Sequence, residues 1–447
     1  MNARMDDALA TLYSAHVTVN KLRHDVALSD AKFDNAVIFS GALHYQFVDD
    51  MPYPFKANPH FKMWVPVLDN PNCFVIYTPG VKPKLVYYQP VDYWHKVAGT
   101  PNDAWVDKFE IVMIANPDDA KAHMPSGRTA FIGEWSEQFA SWGNMTPNPE
   151  QVVNSLHYDR AKKTEYEIEC LRRANVRGAR GHVAAERAFR NGDSEYEIHL
   201  AYLRGADHVE EEVPYGNIIA LNENGSTLHY YHHDRRRLDE ANRHSFLIDA
   251  GATVNGYACD ITRTYSARKD EFQELIDAMD AAQLEIVAAC QPDTNYPDIH
   301  LLSHRKIGEL LVRFGFVRDL DADGAVKSRI TSTFLPHGIG HFLGLQVHDV
   351  GGFMADRSGA TIPKPEGHPY LRLTRVVDTG MVFTIEPGLY FIDSLLGELQ
   401  KSPQAKYVDW SKVDAFRKFG GIRIEDNILI TETGNENMTR PAFANVG

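Results

Sequence analysis

The sequence predicts an α+β protein built from two domains, a smaller α/β domain over residues 1–155 and a larger α+β domain over 156–447. Three observations predict it. Short apolar runs rich in Val, Ile, Phe and Tyr alternate with polar, partly helical stretches from Asn35 to about Glu134, which is the pattern of an α/β domain. The stretch Met145-Thr146-Pro147-Asn148-Pro149 then interrupts that pattern and marks the best candidate boundary. Beyond it, long helical periodicities alternate with hairpin-like strands, so a sheet covered on one face by helices is expected. A chain of 447 residues is also too long for one ordinary core, at roughly 100–200 residues per domain.

Strands are expected at 35–40, 73–78, 83–88, 109–115 and 129–133, each bounded by Gly, Pro or Asn. Residues 161–190 have helical periodicity, with Tyr166, Cys170, Ala174 and Val176 on one side. A second helix starts after Ser194, an N-cap with Glu197 three residues on, and runs toward Gly205. Further helices should cover 271–290 and 299–314.

Composition excludes several classes. Hydrophobic residues make up 44%, normal for a soluble globular protein, and the formal charge of −14 argues against binding a nucleic-acid backbone. Cys73, Cys170, Cys259 and Cys290 are scattered, without a Cys-x-x-Cys pair, and read as reduced, buried thiols. The first twenty residues are polar and mixed in charge, unlike a secretion signal, and no apolar run approaches the roughly 18 residues of a membrane span. A cytoplasmic protein without membrane contact is expected. Glu210-Glu211-Glu212 and Arg235-Arg236-Arg237 read as solvated surface, His232 and His233 as bystanders, and Trp64, Trp105, Trp135 and Trp142 as core, with Trp94 the one to watch.

Five residues read together as a metal site: Asp249, Asp260, His341, Glu386 and Glu425. Asp249 and Asp260 flank Asn255-Gly256, the strongest short hairpin signal. A turn centred there sets Asp249 opposite Thr262 and Asp260 opposite Gly251, with both carboxylates on one face. Pro336-His337-Gly338-Ile339-Gly340-His341 has two glycines between its histidines, so an irregular strand or loop is expected rather than a helix. Glu386 ends a strand stopped by Pro387-Gly388. In Ile422-Arg423-Ile424-Glu425, alternation puts Arg423 on the side of Glu425. Four carboxylates and one imidazole suit two hard or borderline divalent cations, such as Mn²⁺. Crowded together they would repel strongly without cations between them.

At these residues the chain resembles the pita-bread metallopeptidases, and within them the Xaa-Pro dipeptidases (prolidases), in the bacterial branch that includes organophosphorus acid anhydrolase. Supporting stretches are Val213-Pro214-Tyr215-Gly216-Asn217, Thr227-Leu228-His229-Tyr230, Gln346-Val347-His348-Asp349-Val350-Gly351-Gly352, Leu371-Arg372-Leu373-Thr374-Arg375 and Gly388-Leu389-Tyr390-Phe391-Ile392-Asp393. Gln46-Phe47-Val48-Asp49-Asp50-Met51 extends the likeness to the first domain. The resemblance implies a C-terminal pita-bread domain with two divalent cations. Asp249 and Asp260 would hold one, His341 and Glu386 the other, with Asp260 and Glu425 bridging.

It also implies hydrolysis of dipeptides with a C-terminal proline by a metal-bridging hydroxide. Glu386 would shuttle the proton, and His337 and His348 would stabilise the tetrahedral intermediate. Arg375 and His229 would capture the substrate carboxylate, with Arg423 nearer the metals. Tyr215 would line the first side chain's pocket. Asp50 of a second subunit would meet the substrate ammonium, making a homodimer functional. Organophosphate triesters and fluoridates are an implied side activity. The alternative is aminopeptidase P-like cleavage of longer Xaa-Pro peptides.

Overall fold

The computed structural model describes residues 5–446, so residues 1–4 of the polar N-terminal stretch lie outside the described residues. The chain divides into two compact units. Among the described residues, the first comprises 5–170 with 254–257 and 354–361, and the second the remainder.

The first unit is a six-stranded mixed sheet of order β4-β3-β2-β1-β5-β6. Its strands are β1 (Asn35–Phe39), β2 (Phe74–Tyr77), β3 (Lys84–Tyr88), β4 (Glu110–Ile114), β5 (Thr129–Ile132) and β6 (Met145–Pro147). The first five lie inside the stretches that β-branched and aromatic runs mark out. One face packs Val37, Phe39, Phe74, Val86 and Phe131 with Phe139 and Trp142. Helices α1 (Asp7–Ala31), α2 (Pro59–Trp64) and α3 (Glu150–Arg160) belong to the same unit. Trp64, Trp105 and Trp142 are buried, whereas Trp94 is 77% exposed.

Two features of this unit differ from expectation. Met145–Pro147 is not a linker but an edge strand, paired in parallel with Thr129–Phe131. Proline is tolerated there because an edge strand need not donate on its outer side. The unit accordingly runs past residue 155, to Cys170. Helix α1 has no apolar stripe because its buried face is partly polar. His16, Asn20 and His24 are fully enclosed, with Asn20 Nδ2 donating to Met63 O at 2.7 Å while its Oδ1 has no hydrogen-bond partner among the described residues.

In the second unit, α4 (Glu165–Asn191, whose first turns belong to the first unit) and α5 (Glu195–Ala206) precede the three-stranded sheet β11-β8-β7. These strands are β7 (Ile218–Leu221), β8 (Ser245–Asp249) and β11 (Thr262–Ser266). Ser194 caps α5 in a full capping box with Glu197. Phe189, Ile198 and Tyr202 of the helices bury Ile219, Phe246 and Ile248 of the sheet. Helices α6 (Glu271–Ala288) and α7 (Tyr296–Arg313) pack Phe272, Met279, Ile307 and Leu311 against Leu389 and Ile422. Those two residues sit on the paired strands β13 (Gly388–Tyr390) and β14 (Gly421–Arg423). A further sheet joins β12 (Val382–Ile385), β15 (Asp426–Thr431) and β16 (Gly434–Asn437). Isolated bridges Thr262↔Glu425 and Phe342↔Phe383 tie the metal-candidate segments to these sheets. All four cysteines are buried thiols, and among the described residues no helix is long and apolar enough to cross a membrane.

Candidate metal centre

Between β8 and β11 the chain turns at Asn255 and Gly256, both at positive φ (51° and 86°), the combination a two-residue type I′ turn requires. β9 (Thr253–Val254) and β10 (Tyr257–Ala258) flank the turn. The register is the expected one: Asp249 faces Thr262, and the bonds Ala250 N–Ile261 O and Cys259 N–Ala252 O continue it to Asp260 opposite Gly251. Gly251 is required for close approach, since a Cβ there would lie 2.2 Å from Cys259 O and 2.8 Å from the Tyr215 ring.

Both aspartates converge on one phenol. Tyr215 Oη is 2.8 Å from Asp249 Oδ1 and 2.5 Å from Asp260 Oδ1. A hydroxyl has a single proton to give, so the second contact needs a proton or a cation on the carboxylates. Asp260 is further held by Asn427, whose Oδ1 accepts from the Asp260 N–H at 3.1 Å and whose Nδ2 donates to its carbonyl.

His341 comes from an extended segment, with no helix through Gly338 and Gly340. Thr384 N donates to His341 O and Glu386 N to Ile339 O, which sets the two segments side by side. A Cβ on Gly340 would lie 2.0 Å from Thr384 O. With Nδ1 on the Phe342 carbonyl at 3.0 Å, the His341 Nε2 lone pair turns inward, 3.4 Å from Asp260 Oδ2 and 3.6 Å from Glu386 Oε1. One donor atom each from Asp260, His341 and Glu425 lie within 4.8 Å of one another. Thr262 Oγ1 donates to Glu425 Oε2 at 2.7 Å, while Glu425 Oε1 is buried with no hydrogen-bond partner among the described residues.

That orphaned oxygen and the crowding around it are the physical test of metal fit. Two carboxylates about 4 Å apart repel by about 4 kcal/mol even at an effective dielectric near 20. Burial, with the Asp260 and Asp249 charges, pushes Glu386 up to about 7. Burial, then Asp260 and Glu386, takes Glu425 well above the carboxylate range, and Asp249 is raised by burial in the same way. Asp260 alone is lowered, because the His341 hydrogen bond and charge outweigh its burial. Such a cluster suits divalent cations, and its oxygen-rich donors match the hard-to-borderline class.

Arg423 reaches the centre as alternation predicts. Its Nη2 pairs with Asp249 Oδ2 at 2.7 Å, its Nε with Thr262 Oγ1 at 3.2 Å, and its Nη1 donates to Tyr390 Oη at 2.9 Å. Tyr390 Oη in turn lies 2.8 Å from His337 Nε2, and His337 Nδ1 lies 2.8 Å from Gly338 O. His337 is pushed down to about 4 by burial and by Arg423. Arg423 thus neutralises Asp249 and, through Tyr390, keeps His337 a neutral ring beside Glu386 (Nδ1 to Oε2, 3.7 Å). Sequence patterning set Thr262 opposite Asp249 but did not identify Tyr390 and Asn427 as partners of the site.

His348 stacks edge-on against His341 with ring centroids 4.3 Å apart, and opens to solvent on its other side. Packing pushes it down to about 4, with the charges of His341 and Arg372 adding to this. His229 is exposed, its ring beside the exposed Tyr231, whose phenol feels Asp249 and Arg423. The Tyr215 hydroxyl is committed to the aspartate pair. Arg375 is enclosed. It is only 5% exposed, its guanidinium lies 5.8 Å from the Phe342 ring, and the exposed cation near His348 is Arg372. Two-residue alternation was not the guide here, because residues 371–375 form no strand. Asp50 belongs to the first unit, exposed in a turn where its N–H donates to Asp49 Oδ1.

Residues 11–158 match the family "Xaa-Pro dipeptidase, N-terminal domain", and residues 169–432 match "Metallopeptidase family M24". An Xaa-Pro dipeptidase of Pseudoalteromonas translucida (strain TAC 125) is 50% identical over 437 residues, covering 97% of this chain and 99% of the relative. One from Shewanella oneidensis is 49% identical over 436 residues, again 97% and 99%. Escherichia coli aminopeptidase P with the inhibitor Pro-Leu superposes with a TM-score of 0.72 at 23% identity, covering 98% of this chain and 96% of that one. The fold is therefore the aminopeptidase P-like pita-bread fold with its N-terminal domain. The chain belongs to metallopeptidase family M24, in its Xaa-Pro dipeptidase branch.

Proposed function

We propose that this chain is a two-metal, Mn²⁺-preferring dipeptidase that releases proline from Xaa-Pro dipeptides. The observation that carries the reading is the convergence of Asp260, His341 and Glu425, with Asp249 sharing the Tyr215 hydroxyl with Asp260 and Glu386 beside His341, in a chain about half identical to Xaa-Pro dipeptidases over its length. When bound, two such cations supply Lewis acidity and an acidified water. The residues supply the rest.

Glu386 Oε2, raised toward neutrality while metal-free, takes the proton from the attacking water and passes it to the proline nitrogen, which has no N–H and must gain a proton to leave. His337 and His348, both neutral, flank the scissile carbonyl, and Arg423 holds Asp249 and Tyr390 in place. Arg372 rather than Arg375 takes the proline carboxylate, with His229 and Tyr231 on the same rim. Loss of a charge-assisted pair of this kind costs about 2–3 kcal/mol. Arg372→Ala should therefore raise KM for Ala-Pro about 30- to 160-fold with a smaller effect on kcat. An unchanged KM would return the assignment to Arg375.

Exposed Phe47 (95%), Val48 (88%) and Val91 (100%) flank Asp50 and Trp94 in the first unit and support a homodimer that covers them. Sedimentation equilibrium giving a monomer at micromolar concentration would overturn it. Four buried cysteines kept as thiols support action in the cytoplasm.

The deciding experiment compares Ala-Pro with Ala-Pro-Ala after chelation and Mn²⁺ restoration, with an organophosphate triester run beside them as a test of side activity. Mn²⁺-dependent cleavage of the dipeptide alone is expected. Comparable tripeptide cleavage would make it an aminopeptidase P, and inactivity on both peptides would sink the peptidase reading.

A further inference from the structure

A second group of metal-type ligands lies on α7, outside the carboxylate centre. His300 and His304 stand one helical turn apart on its buried face, each 1% exposed, and His368 reaches them from the segment Glu366-Gly367-His368-Pro369. The three rings are mutually edge-on, with centroids 4.8, 4.6 and 4.6 Å apart, and one nitrogen from each lies within 4.8 Å of the others.

Their hydrogen bonding leaves donors over. His304 Nδ1 lies 3.1 Å from Thr331 Oγ1, so Nε2 is the ring nitrogen left over for the cluster. That Nε2 has no partner among the described residues, and neither does His300 Nδ1. His300 Nε2 and His368 Nδ1 are 2.8 Å apart, sharing one proton between two lone pairs. Core histidines are normally satisfied, so two unpartnered nitrogens in one enclosed cluster call for an explanation. Burial and mutual proximity keep His300 and His304 neutral, the form in which imidazole binds metal.

We propose that His300, His304 and His368 form a third, mononuclear metal site that takes a borderline cation of the Zn²⁺ class. An all-imidazole set favours Zn²⁺ over the Mn²⁺ suited to the carboxylate centre. Zn–N bonds of about 2.0–2.1 Å need donors roughly 3.3 Å apart. Small ring rotations bring these three there, and half-buried His368 leaves a fourth position for water. Arg329 brings an opposing charge, its Nη1 3.5 Å from His368 Nε2. It is already anchored to the carbonyls of Gly367 (3.0 Å) and Glu366 (3.1 Å), so it can yield that long contact. The cation would pin the 366–369 segment, three residues before Arg372, to α7.

The test loads full-length protein with Mn²⁺, titrates Zn²⁺, and counts total metal per chain by mass spectrometry in wild type and His368→Ala. Wild type should hold three ions and His368→Ala two, with a Zn²⁺-induced rise in melting temperature seen only in wild type. Equal metal counts in the two proteins, with zinc merely replacing manganese, would overturn the site. Zinc-edge X-ray absorption on wild type decides independently of whether the variant folds. A shell of imidazole nitrogens near 2.0 Å supports the proposal, and a shell dominated by carboxylate oxygen refutes it.

Discussion

Asp260→Asn is expected to lower kcat for Ala-Pro by at least about 10³-fold, the loss of several kcal/mol of stabilisation that a two-cation centre supplies. Asp260 is the residue on which the centre's contacts meet. Its oxygens touch Tyr215 Oη and His341 Nε2, and it joins His341 and Glu425 in the three-donor cluster. Asparagine keeps the shape but replaces a charged donor oxygen with an N–H₂ that cannot bind a cation. The backbone should stay in place, because Asn427 holds the Asp260 N–H and carbonyl rather than its side chain. The variant should therefore fold normally yet bind fewer than two metal ions per chain. Circular dichroism, metal counting and proline release read these three quantities separately. A variant with more than a tenth of wild-type kcat and full metal would show that Asp260 is not a bridging ligand.

The site was legible in sequence wherever a side chain's partners follow from short-range pattern. Asn255-Gly256 dictates a type I′ turn, the turn dictates the register, and the register places Asp249 and Asp260 on one face. Gly338 and Gly340 argue against a helix through His341, and the approach of Thr384 to Gly340 shows why no larger residue fits. Long-range partners were not legible. Tyr215 meets the aspartates across 34 and 45 residues, and Asn427 meets Asp260 across 167. No periodicity encodes such contacts. The same limit hid α1, where His16, Asn20 and His24 occupy positions that a hydrophobic pattern would fill with Leu or Val. It also blurred the choice between Arg372 and Arg375, since residues 371–375 have no regular backbone to assign faces. The boundary at 145–149 misled for a related reason: Pro147 reads as a breaker, yet an edge strand accepts it.

The stability that metal adds should grow as pH rises from about 4.5 to about 7, because the metal-free centre loses its own contribution across that window. Glu386 has its folded value raised to about 7 against an ordinary 4.5. Between those limits the folded chain keeps the proton and the unfolded chain has released it. Folding therefore takes up a proton, and stability falls with rising pH through the window. At about 1.4 kcal/mol for each pH unit, the loss from this one residue is of order 3 kcal/mol, complete above pH 7. Glu425 and Asp249 are raised as well and act in the same direction. Asp260 is lowered, so its contribution is present at neutral pH and disappears only in acid, below this window. Divalent cations replace the protons that metal-free carboxylates retain, and they bind more tightly as proton competition fades. Melting temperatures of chelated and Mn²⁺-loaded protein from pH 5 to 8.5 should therefore diverge steadily, with the gap largest at the alkaline end. Two parallel curves would mean that the carboxylates are not electrostatically frustrated without metal.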